Sequence, residues 1–248
     1  MKQILAAFIF FTRLPLGKIV QVPAEYFRQV VSYWPLTGYL TGGLMALTIV
    51  FLPYLFPIPV AVILAMLTRL SVTGALHEDG LADFCDGFGG GTDRERVLSI
   101  MKDSHIGTYG VLGLILYFSL SITTLASIPY PLIGSVLLCG DVWSKFCASH
   151  IVNFLPYARK AEESKTKLVY DRMCPRVLLI NAALALFPVV FLMRPVYWPA
   201  LFIPVIVCAS LIWYMKKRIQ GYTGDCCGAL FLCSELSFYL AVLAIHYL

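Results

Sequence analysis

Seven apolar runs, each about twenty residues long, constrain this chain more than any other feature. They cover approximately 34–56, 58–76, 109–128, 131–155, 177–194, 197–215 and 226–247. A helix that crosses a bilayer needs roughly 17–25 such residues. Composition agrees: the 248 residues are 59% hydrophobic and 13% charged, against about 45–50% and 25% in a soluble domain. The excess apolar surface must face lipid. The sequence therefore predicts an all-α fold, a polytopic integral membrane bundle of about seven transmembrane helices, with Pro57, Pro59, Pro129, Pro131, Pro195 and Pro199 in tight turns between spans. Residues 4–16 are too short to cross and carry Arg13, so they form an interfacial or half-inserted segment. They offer one lysine and an apolar run but no small-x-small cleavage site, so we read them as part of the mature protein.

The connections alternate in character. Sixteen of the 19 Lys and Arg residues fall in four long ones: the N-terminal region to Ser32, 77–108, 156–176 and 216–225. Basic residues concentrate on the cytoplasmic side of membrane proteins, so all four are expected there. No repeat or polar linker divides the chain, which reads as one domain over 1–248. The eight cysteines lack a C-x-x-C pair and several lie within apolar runs; they read as small buried hydrophobes rather than a metal or disulfide framework.

The segment 77–106 breaks the basic trend, holding seven of the chain's 14 acids. Asp79, Asp83 and Asp86 are spaced i, i+4, i+7, on one face if the helix of 58–76 continues into the loop. Like charges so placed repel, and a hard divalent cation reverses that sign; Mg²⁺ typically takes one or two carboxylates together with substrate phosphates. Gly87, Gly89, Gly90 and Gly91 are expected to break the helix. Thr92-x-x-Glu95 reads as a capping box that starts a short amphipathic helix on Val97, Leu98 and Met101. Asp103, near the end of that helix, opposes its dipole and is a candidate for chemistry. His77 and His105 flank the loop, where they could contact phosphate or orient carboxylates.

Arg69, Asp141, Lys145 and Glu235 lie inside apolar runs, where each costs about 2.5–3.5 kcal/mol. Asp141 and Lys145 are four apart and can pair; Glu235 is expected to face Arg69 or a polar cavity. Asp225 is placed to cap the last span and to help hold a metal or phosphate. The amino-terminal ends of the spans near 109, 177 and 226 turn positive dipole ends to one side, which suits anions.

The run His77-Glu78-Asp79-Gly80-Leu81-Ala82-Asp83-Phe84-Cys85-Asp86-Gly87, then Asp93-Arg94-Glu95-Arg96 and Ile100-Met101-Lys102-Asp103-Ser104-His105-Ile106-Gly107-Thr108-Tyr109-Gly110, closely resembles the cobalamin synthase family. Phe11-Thr12-Arg13-Leu14-Pro15, Pro35-Leu36-Thr37-Gly38, and Thr223-Gly224-Asp225-x-x-Gly228-Ala229 with Glu235 add to the resemblance, which spans almost the whole chain in order. Glu78 stands where that family carries an apolar residue, often Leu, and the span around Asp141 and Lys145 lacks an expected Arg. The resemblance implies an adenosylcobinamide-GDP ribazoletransferase in the bacterial cytoplasmic membrane, with the lipid bilayer as its surroundings and no nucleic-acid partner. A hydroxyl of α-ribazole or its 5′-phosphate attacks the phosphorus next to cobinamide, and GMP leaves. Implied roles are Asp79, Asp83 and Asp86 for Mg²⁺; Asp103, Asp93 and His77 for catalysis; and Lys102, Arg94, Arg96, His105, Arg13, Asp225 and Glu235 for substrate or phosphate. A homo-oligomer or a complex with other corrinoid-assembly enzymes are the partner options. A CDP-alcohol phosphotransferase is the nearest alternative in chemistry, but the Asp-Gly-x-x-Ala-Arg pattern is absent because Asp83 follows Ala82. A transporter would spread polar residues through its spans and carry repeats; here the acids concentrate in one loop.

Overall fold

The structure, a computed structural model, describes residues 1–159 and 169–248; Lys160, Lys165 and Lys167, part of the basic connection 156–176, lie outside the described residues. The chain begins with a ten-residue apolar helix, α1 (Lys2–Phe11), and a single turn, α2 (Leu16–Ile19). A 3₁₀ stretch, Ala24–Tyr33, runs directly into α3 (Trp34–Phe51). There follow α4 (Ile58–Thr73), α5 (Leu76–Gly90), α6 (Arg94–Ile100), α7 (Thr108–Ser127), α8 (Tyr130–Ser149) with the single turn α9 (Ile151–Phe154), α10 (Pro175–Leu192), α11 (Phe202–Ile219) and α12 (Gly224–Tyr247). Among the described residues, six helices are long and apolar enough to cross a membrane, and α4 makes a seventh when counted with α5 as a bent pair. This is a multi-pass membrane bundle, as the apolar runs predicted. Proline in the first turn starts several spans, where its missing N–H has no helical partner to lose; Pro59, Pro131 and Pro175 sit at such positions.

The bundle is built around two helices. α8 and α12 are 72% and 61% buried over their most apolar windows, against 39% or less for the other spans. α3 packs along α8, and α12 is shared by α5, α7, α8 and α11.

The departure that matters most for the site is a corner between α4 and α5. The helix of 58–76 does not continue: Gly74 (φ 67°) and Ala75 (φ 58°) are both left-handed, and α5 leaves at 93° to α4. Glycine adopts that conformation freely, while alanine there costs about 1–2 kcal/mol. α5 then lies against the amino-terminal turn of α12 at backbone distance. A Cβ added to Gly80 would stand 3.0 Å from the Asp225 carbonyl, and one on Gly228 would stand 2.9 Å from that of His77. The glycine cluster corrects a second expectation. Gly87, Gly89 and Gly90 lie within α5, which ends only at Gly91; the bare surface at Gly87 admits Met101 and Val97 of the α6 region.

Candidate active site

The three expected carboxylates of α5 have different surroundings. Asp79 is exposed, Asp83 half-buried and Asp86 buried. Asp86 accepts hydrogen bonds from the Gly107 and Gly110 amides, at 2.7 and 2.8 Å. Those are among the unpaired N–H groups that open α7, where a carboxylate also meets the positive end of the helix dipole. Asp86 therefore joins α5 to α7. Among the described residues, no group of three or more His, Cys, Asp or Glu side chains is drawn together tightly enough to hold a metal ion. Asp79 and Asp83 lie one turn apart on α5.

Asp79 lines a cavity of about 160 Å³ that also takes in Asp225, His77 and Arg159. Its other walls include Phe11, Trp34, Tyr157 and Tyr170. Asp225 reaches it from the first turn of α12. The cap of that helix is Thr223, whose hydroxyl accepts from the Cys226 amide, so the expected capping role of Asp225 passes to its neighbour. His77 is 2% exposed, packed against Phe11, Trp34 and Phe231 with ring centroids 5.0–6.0 Å away.

Arg159 borders a second, more open cleft of about 400 Å³, which Arg94 and Lys102 line from α6. Lys102 is exposed there. Arg94 departs from its expected phosphate role: its guanidinium donates to the Ile219 carbonyl at 2.9 Å and the Ala158 carbonyl at 2.7 Å. Carbonyls at a helix end lack intrahelical partners, and α11 ends at Ile219, so Arg94 braces that end. Arg96 is exposed on the first turn of α6. The cap of α6 is Asp93, one residue beyond the expected Thr92: it accepts from the Arg96 amide at 2.9 Å and the Thr92 hydroxyl at 3.0 Å. Those bonds hold its carboxyl below the usual range. Asp103 likewise receives the His105 ring at 2.7 Å and the His105 amide at 3.0 Å, and these lower its pKa. A lowered pKa makes a weaker proton acceptor at neutral pH, and both residues are fully solvated outside the aromatic cavity. Asp103 thus orients His105. Arg13, expected at substrate, lies over the α4–α5 corner: its amide donates to the Val72 carbonyl at 2.7 Å and its guanidinium covers Gly74.

Beneath this face the intramembrane charges close on one another. Arg69 of α4 bonds Glu235 of α12 at 2.6 Å, Tyr117 of α7 at 2.7 Å and Glu78 of α5 at 3.3 Å. The Tyr117 hydroxyl also donates to Glu235 at 3.0 Å. Lys145 pairs with Asp141 at 2.5 Å, and Thr41 of α3 bonds both. The Phe231 ring lies 5.5 Å from the Arg69 guanidinium and 4.9 Å from the Lys145 ammonium. Glu235 is 0% exposed, so the expected contact with substrate gives way to its other expected contact, Arg69. All eight cysteines are free and five are buried, as read from the apolar runs.

A family model described as cobalamin-5-phosphate synthase matches residues 3–243. The chain belongs to the cobalamin-5-phosphate synthase family. Adenosylcobinamide-GDP ribazoletransferase of Leptospira interrogans is 33% identical over 248 residues, covering 96% of this chain and 93% of its own. The proteins of the same name from Shewanella pealeana and Vibrio parahaemolyticus are 36% and 35% identical, covering 95% and 99% of this chain and 92% and 93% of their own. No solved structure matches the chain.

In this cobalamin-5-phosphate synthase family member, the sequence drew no attention to Tyr157, Arg159, Tyr170 or Tyr117. The first three stand in a connection read only for its basic charge. Two tyrosines and an arginine close to a span end were the available signal. Tyr117 is one aromatic in an apolar run, and nothing local marks it as the partner of Arg69.

Proposed function

We propose that this chain is a transferase that joins adenosylcobinamide-GDP to α-ribazole, or its 5′-phosphate, and releases GMP. Family membership supports the reaction. The observation that carries the site is α5 laid against the amino-terminal ends of α7 and α12, with Asp79, Asp225 and Arg159 around one cavity. The hydroxyl oxygen of the acceptor forms a bond to the phosphorus next to cobinamide. The bond from that phosphorus to the bridging oxygen breaks, and GMP leaves with the oxygen. The hydroxyl proton passes to a carboxylate, Asp79 or Asp225, and on to water. Arg159 and Lys102 attract the phosphates. Displacement at a diphosphate is chiefly positioning and charge stabilisation, and these groups provide both.

Asp79 and Asp225, which line one cavity, would hold Mg²⁺, since that ion needs only one or two carboxylates when phosphates complete its shell. Asp86, bonded to the α7 amides, is left out. When bound, the ion supplies neutralisation of the diphosphate charge. The placement of Lys and Arg in the long connections supports a site on the cytoplasmic face of a bacterial inner membrane.

The test uses full-length protein purified in detergent with adenosylcobinamide-GDP. GMP release that requires α-ribazole, and that a chelator abolishes, is the expected result. Absence of GMP with both substrates and Mg²⁺ present would reject the assignment.

A further inference from the structure

Resting on that reading, we propose that the 160 Å³ cavity seats the flat bicyclic base of the acceptor nucleoside, which presents its ribose hydroxyl to Asp79 and Asp225. Shape is the first argument. Phe11 and Trp34 stack on one another at 4.9 Å with planes 10° apart and, with Tyr157 and Tyr170, give the cavity an aromatic lining. Aromatic surfaces of this kind hold heterocyclic bases by stacking. Size is the second. A cavity of roughly 150 Å³ admits benzene, so this one suits a single small bicycle with slight adjustment of its walls, and a corrin macrocycle is excluded.

Charge is the third argument. Apart from Asp79, Asp225, Arg159 and His77 the walls are mainly apolar and aromatic, which suits an uncharged base. The cations suited to phosphate lie in the adjoining cleft, across Arg159. Fourth, Trp34 Nε1 and His77 Nε2 are buried polar atoms without a hydrogen-bond partner among the described residues, on side chains 0% and 2% exposed. Unpaired buried groups in a native fold call for an explanation. An azole ring carries a bare nitrogen that an indole N–H can satisfy.

Guanine, the other bicycle in the reaction, offers the same flat ring but arrives attached to the diphosphate. The experiment separates the two by measuring KM for each substrate with Tyr170→Ala. The expected result is a rise of about tenfold or more for α-ribazole, with the donor's KM nearly unchanged, and recovery of most of the loss by Tyr170→Phe. A rise for adenosylcobinamide-GDP alone would assign the cavity to guanine and overturn the proposal. Unchanged values for both in a folded variant would overturn it too. A second measurement does not depend on any variant: benzimidazole alone should bind the wild-type protein and compete with α-ribazole but not with the donor. Failure to bind, or displacement of the donor, would reject the cavity assignment. Failure of the wild-type protein to release GMP would instead reject the parent reading, so the two are told apart.

Discussion

Arg69 shows how a single side chain can hold together the helices that bear the site. Its guanidinium reaches α5, α7 and α12 at once, and each partner lies in a region where an unpaired charge is costly. Removing one partner of a buried ion pair typically costs about 3–5 kcal/mol, because the other is left uncompensated. Arg69→Met should therefore lower the melting temperature of the detergent-purified protein sharply. Adding Glu235→Gln should recover part of the loss; a single variant as stable as wild type would contradict the pairing. Asp86 makes a smaller prediction. Asp86→Ala strands two amides at the start of α7 and should destabilise by about 1–3 kcal/mol, measured the same way, with Asp86→Asn less affected since its amide oxygen still accepts.

At the scale of elements, the α4–α5 corner decides where the carboxylates point. The i, i+4, i+7 spacing placed the three carboxylates on one helix, which is α5 rather than a continuation of the helix of 58–76. The right-angle turn was not legible. It depends on Ala75, a residue that favours helix, following Gly74 into the left-handed region, where both amides donate to the Leu70 carbonyl. Nor did the spacing reveal that α7 would engage Asp86, since that contact is made with backbone amides 21 and 24 residues away. The Gly80–Gly228 crossing carries its own prediction. Gly80→Val must push against the Asp225 backbone, so overpacking of about 1–3 kcal/mol is expected. Activity should fall further than stability does, because the displaced helix carries Asp79. Equal turnover in a melted-in variant would show that α5 need not touch α12.

For the whole molecule, apolar length alone gave a multi-pass bundle of six or seven spans, with 58–76 counting only together with α5, and the charges inside the spans pointed to pairing in the interior. Sequence offered Arg69 as one of two surroundings for Glu235, and what it could not give was the part that Tyr117 and Glu78 take in the same network. Orientation yields a prediction through a native residue. Cys174 is the exposed one among the eight cysteines, at the start of α10. A membrane-impermeant maleimide should label it in inside-out vesicles and leave it unlabelled in right-side-out ones; the reverse pattern would put the site on the wrong face.

The central claim is that the acidic face of α5 serves the transfer reaction. It is tested most directly by the rate of GMP release, with both substrates and Mg²⁺ saturating, for Asp79→Asn and Asp83→Asn beside the wild type. Losses of about 10²–10³-fold are expected, the scale of removing one charge-stabilising group, with melting temperatures close to wild type. Wild-type rates in both folded variants would show that neither carboxylate serves the transfer.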